Sequence, residues 1–105
     1  LEVSDIPTAA ADPLRALQED ACKVPETAMD ALLADDPEEA TELANDARSG
    51  IRDVNERGRD VDEEIRELDP QLAQVLGLVV DSLSRTADYG GNIAESALQK
   101  AAPSP

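Results

Sequence analysis

The sequence contains no histidine, phenylalanine or tryptophan, and it has one cysteine, one tyrosine and one methionine. Each absence excludes something. Without histidine there is no imidazole base and no imidazole metal ligand. With Cys22 alone there is no internal disulfide, no Cys–His nucleophile and no thiolate zinc site. Cys22 falls inside a helical pattern and reads as a small buried hydrophobe. The lack of aromatics leaves Ala, Leu, Val and Ile to build the core. Small aliphatic side chains suit helices at close approach and suit a β-sandwich poorly. There is no apolar run near the roughly 18 residues of a membrane span, and no secretory signal is visible. No alternating β-branched run or hairpin turn occurs, so no strand is expected.

Lysine is also scarce: Lys23 and Lys100 are the only two. Lys+Arg total 9 against 24 Asp+Glu, for a formal net charge of -15. Such a surface repels phosphates, which argues against nucleic acid or anionic lipid as a direct partner. The acid excess has two readings. It is a surface for cations or a basic protein, or it is the lysine-poor surface of a protein kept soluble in concentrated salt; the second needs no ligand. The 105 residues make one domain with a modest core. The first residue is Leu1 rather than Met, as expected of a piece of a longer protein.

What is present is helical punctuation. Residues 1–11 read as an irregular lead or linker. Asp12-Pro13 then reads as an N-cap with proline in the first turn. Leu14, Leu17, Ala21, Val24, Ala28 and Ala31 follow as a 3-4-3-4-3 seam. Pro25 interrupts that seam without shifting its phase, which predicts one kinked helix over 12–34. Asp36-Pro37, with Glu39 as capping-box acid, opens a second helix over 37–68. Its seam is Ala40, Ala44, Ala47, Ile51, Val54, Gly58, Val61, Ile65 and Leu68. Asp69-Pro70 repeats the device and opens a third helix over 70–101, with the seam Leu72, Leu76, Val79, Leu83, Thr86, Gly90, Ile93 and Ala97. A frayed tail, 102–105, follows. Two short loops make neighbouring helices antiparallel. The expected fold is an all-α antiparallel three-helix bundle, a rod about 35–45 Å long.

Nothing in this pattern looks like a catalytic site. Paired carboxylates for glycoside chemistry need a cleft and a sugar platform, and a slim bundle without aromatics offers neither. Gly90-Gly91 is not a phosphate loop, since no strand precedes it and no lysine follows. The odd stretch is Leu83 to Glu95, where two glycines and Asn92 weaken a helix whose seam nevertheless continues. Asp81, Asp88 and Glu95 stand seven apart on its outer face, with Ser84 and Asn92 beside them and Arg85 one position over. Oxygen-rich stripes of this kind suit hard cations, so Asp81, Asp88, Asn92 and Glu95 are candidate ligands for a divalent metal or iron. A solvated polar face explains the same stripe. Met29, Leu33, Leu78 and Val80 lie off the strict seams; they either broaden the core or face a second bundle as a dimer contact.

Leu83, Arg85, Asp88, Asn92, Ile93, Ala94 and Glu95 stand in the places of a family pattern. The stretch resembles the last helix of a PhoU domain, the phosphate-uptake regulator module. Residues 31–40 resemble the Asp- and Ala-rich turn before that family's second helix, and the likeness extends as a pattern over about residues 12–100. Its specific part is confined to 83–95. The resemblance implies a cytoplasmic regulator of phosphate uptake or of the phosphate-starvation response, not an enzyme. Its implied partners are a phosphate transporter, a sensor kinase or a second PhoU bundle. Family members usually carry two such bundles, and in some haloarchaeal relatives the region follows an AbrB-like DNA-binding domain; the acidic, lysine-poor composition suits a haloarchaeal member. Some members hold iron or zinc through acid-x-x-x-Asp pairs. Here Ser84 replaces the acid paired with Asp88, and Gly50 follows Asp46, so both pairs have lost a carboxylate. Other acid pairs four apart, such as Glu26/Asp30, Glu42/Asp46 and Asp60/Glu64, arise by chance in so acidic a chain. The alternative reading is a structural or signalling helical segment without a phosphate role, which as a coiled coil would form an extended parallel dimer.

Overall fold

The computed structural model describes residues 6–103; the first five residues of the expected lead and the last two of the tail lie outside that range. Three helices follow one another: α1 (Thr8–Leu33), α2 (Pro37–Arg66) and α3 (Pro70–Ala101). Every pair of helices packs together, and no strand occurs among the described residues. The fold is the all-α three-helix bundle that the spacing predicts.

The helix starts follow from local chemistry. Asp36 accepts a hydrogen bond from the Glu38 amide at 3.4 Å, and Asp69 accepts one from the Gln71 amide at 3.2 Å. Pro37 and Pro70 each occupy the first turn, where a missing N–H leaves no bond unmade. Helix α1 differs from expectation. It starts at Thr8 rather than at Asp12, with Pro7 as N-cap and no side-chain cap. The Pro7 carbonyl accepts from the Ala10 and Ala11 amides. Ala9-Ala10-Ala11 is good helix-forming sequence, and Ala10 is buried. That burial extends the helix upstream of its proline, so Pro13 lies inside it. Pro25 also lies inside α1, which runs as one helix and not two.

Cross-helix neighbours give the directions. Asp20 pairs with Arg57, and Val24 lies against Gly50, so α1 and α2 run antiparallel. Gly58 faces Val80 and Gly91 faces Ile51, so α2 and α3 run antiparallel. Val24 meets Gly90, and Lys100 donates to the Leu32 carbonyl at 2.8 Å, so α1 and α3 run parallel. That lysine satisfies one of the orphan carbonyls at the α1 C-terminus, where a cation also complements the helix dipole. The rod measures 59 × 19 × 17 Å, longer than expected, and its longest helix is α3 with 32 residues.

The core is thin and alanine-rich. Leu17, Val24, Val54 and Val61 are its largest fully buried side chains, with Ala21, Ala28, Ala44, Ala87, Ala94 and Ala97 between them. The seams read for α1 and α2 are the buried ones, with Leu14, Ile51 and Leu68 at their edges. In α3 the phase differs. The inward series is Leu76, Val80, Leu83, Ala87, Gly90, Ala94 and Ala97, and Val79 is exposed. Both series share Leu76, Leu83, Gly90 and Ala97 and have the same 4-3 rhythm. The bundle takes the one richer in alanine because small side chains let the axes approach, while Thr86 and Ile93 fall to the flank.

Glycine sets the closest approach. No glycine among the described residues has positive φ, so these positions serve space rather than backbone conformation. A Cβ on Gly90 would lie 2.5 Å from Val24 Cγ1 and 2.7 Å from the Pro25 backbone nitrogen. One on Gly91 would lie 2.7 Å from Ile51 Cδ1, and one on Gly50 would lie 3.0 Å from Val24 Cγ2. The three helices are therefore pinched together around Val24.

Candidate functional site

The Leu83–Glu95 stretch is divided by this packing. Ala94 is in the core, Leu83 and Ile93 pack against it, and Gly90-Gly91 make the pinch. The polar remainder faces out. Asp88, Gly91, Asn92 and Glu95 follow i, i+3, i+4, i+7 spacing and form one wall of an open groove between α2 and α3. Arg48, Ile51, Arg52 and Asn55 repeat that spacing on α2 and form the other wall. The groove holds about 540 Å³, floored where Ile51 meets Gly91. Guanidinium groups stand on one side and carboxylates on the other. The ion pair that forms within 4 Å among the described residues is Arg57–Asp20, elsewhere on the bundle, so the charges lining this groove are open to outside groups.

The arrangement modifies the four candidate metal ligands. Asp88, Asn92 and Glu95 do share the groove; Asp81 is exposed on α3 but is not part of its lining. Among the described residues, no three carboxylate or thiol groups come together in a way that would hold a metal ion. Two carboxylates and an amide facing two arginines make a poor cradle for a hard cation, since the guanidiniums repel it and compete for the same oxygens. The α1–α2 groove gathers Asp20, Asp46 and Asp53 near Lys23 and also forms no such group.

The interface candidates separate too. Val80 is buried at 4% exposure against Gly58, so it broadens the core and reaches no partner. Met29 and Leu33 are exposed at the C-terminal end of α1. Leu78 is exposed at the opposite end of the rod, because α1 and α3 run parallel and Leu78 lies near the start of α3. These residues therefore do not make one face. Cys22 is exposed, contrary to the burial expected, since Ala21 rather than its neighbour occupies the seam. Two features were missed in the sequence. Arg48 and Arg52 oppose the Asp88 row; the signal available in the sequence was their i, i+4 spacing on one face of α2. Val75 and Tyr89 are exposed on α3.

By fold the chain is an antiparallel three-helix bundle carrying a mixed-charge groove. None of its helices is long and apolar enough to cross a membrane, among the described residues. Compared with models of known protein families, with curated proteins and with solved structures, the chain matches none.

Proposed function

We propose that the chain is a PhoU-like regulatory bundle that acts by contacting other proteins in the control of phosphate uptake or the phosphate-starvation response. The observation that carries this reading is the placement of the family-like residues. Asp88, Asn92 and Glu95 line one open groove, while Leu83, Ile93 and Ala94 hold that helix in the bundle. Packing alone does not require that polar set. A compact antiparallel bundle also suits this reading better than the extended parallel dimer of a coiled-coil segment. The groove offers a charged peptide or helix both an acidic and a basic wall, so charge pattern selects its partner in the cytoplasm, where a transporter subunit or sensor kinase would present it.

The test is phosphate uptake in a source strain lacking the chain. Loss should derepress uptake in phosphate-rich medium. The wild-type chain should restore control, whereas Asp88→Arg combined with Glu95→Arg should not, although both positions are exposed and the bundle should fold. Uptake indifferent to removal of the chain sinks the phosphate role and leaves the structural-segment reading.

A further inference from the structure

The two walls of the α2–α3 groove match in charge. Arg48 and Arg52 stand four apart on α2, Asp88 and Glu95 stand seven apart on α3, and all four are exposed. Their charges sum to zero in a chain of net charge -15. With Ile51 against Gly91 and the helices antiparallel, Arg48 stands level with Glu95, and Asn55 with Asp88. Among the described residues no ion pair within 4 Å joins the walls, so both rows stay open to an outside group. Half-buried Ile51 floors the space between them, its Cδ1 covering Gly91, which has no room for a Cβ. At the rise of a helix, the arginines recur at about 6 Å and the acids at about 10.5 Å.

We propose, resting on the reading of this groove as a contact for another protein, that its occupant is an amphipathic helix of segregated charge. That helix carries acids four apart along the edge facing Arg48 and Arg52, basic residues seven apart along the edge facing Asp88 and Glu95, and aliphatic side chains between them over Ile51. The occupant is a helix because the walls belong to helices whose backbone groups bond within themselves. An extended segment would find no backbone partners here, whereas a helix brings its own hydrogen bonds. It is a macromolecule because every charged group of the groove is exposed, so a small molecule would be left largely in water. Its charge is mixed because neither single sign fits. A purely acidic partner meets the repulsion of the whole chain, and a purely basic one is drawn instead to acid-rich stretches such as Asp60-Val61-Asp62-Glu63-Glu64 on α2. Opposed rows of opposite sign favour a partner by its pattern and reject one with the same residues in the wrong places.

Fluorescence anisotropy of a labelled synthetic helix of about three heptads, titrated with the full chain at physiological ionic strength, reads the association. The helix with segregated edges should bind with Kd below about 100 μM, and one of identical composition with acids and bases scrambled over both edges should bind at least about tenfold more weakly. Arg48→Glu combined with Arg52→Glu should abolish that preference. Arg15→Glu combined with Arg59→Glu, the same change in net charge at exposed positions outside the groove, should keep it. Circular dichroism checks that each variant is helical; should the groove reversal unfold, Asp88→Asn still tests the wall, with the segregated helix bound about threefold more weakly. Equal binding of the two peptides to the wild-type chain overturns the proposal. So does a preference that survives reversal of Arg48 and Arg52, or one lost as readily in the Arg15 and Arg59 variant. Phosphate uptake that depends on the chain while no helix of this pattern binds overturns this partner and spares the regulatory role; the pattern-selective binding with uptake indifferent to the chain supports the partner and sinks that role.

Discussion

The two halves of α3 are built differently. The C-terminal half is gripped on both sides, with Gly90 against the Val24–Pro25 backbone and Gly91 against Ile51. The N-terminal half is held along one side, leaves Val75, Leu78 and Val79 exposed, and contains Gly77, beside which a Cβ would meet nothing within 4 Å. The same residue type in the same helix therefore has opposite meanings. Gly90 exists for space that another helix occupies. Gly77 lowers helix propensity with no packing return visible in the bundle.

Substitutions along α3 break or sharpen that contrast, and urea or thermal unfolding reads each one. The largest effect is expected from Leu76→Ala, which empties a buried position and should destabilise by about 2–5 kcal/mol. An effect no larger than that of an exposed leucine would remove Leu76 from the core. Gly90→Ala should destabilise by about 1–3 kcal/mol, because the new methyl meets rigid backbone and the gain in helix propensity only partly offsets it. Gly91→Ala should be milder, since the atom in its way is the flexible end of Ile51. Asp69→Ala should lose about 1 kcal/mol with the N-cap bond to Gln71. Gly77→Ala should raise stability by about 0.5–1 kcal/mol; a loss there would mean that the position is packed after all. The smallest effect belongs to Leu78→Ala, within about 0.5 kcal/mol.

The α1 and α2 seams were legible because one 4-3 series dominates each, and every apolar position of those series is buried or packed at the edge. The Asp-Pro starts of α2 and α3 were legible because the capping chemistry lies within three residues. The Asp-Pro of α1 misled for a related reason. A proline tolerated in a first turn is also tolerated farther along when buried alanine upstream makes extension favourable, as Ala10 does. In α3 two apolar series interleave, so Val79 was read inward where Val80 takes that place, one of the two readings left open for Val80. Of the candidate site, the row Asp88, Asn92 and Glu95 came from spacing on one helix. The opposing Arg48 and Arg52 did not, because pairing two rows requires the relative rotation of two helices.

By itself, the sequence determined the class of fold, the number and order of the helices and two of the three buried faces, since those depend on periodicity and capping within a single segment. Tertiary structure alone decided the phase of α3, the exposure of Cys22, and which glycines are crowded and which are free. It also decided that the acids of the Asp88 row face arginines. Each of those depends on how close the helix axes come and at what angle they meet, and the close approach of small side chains around Val24 sets both.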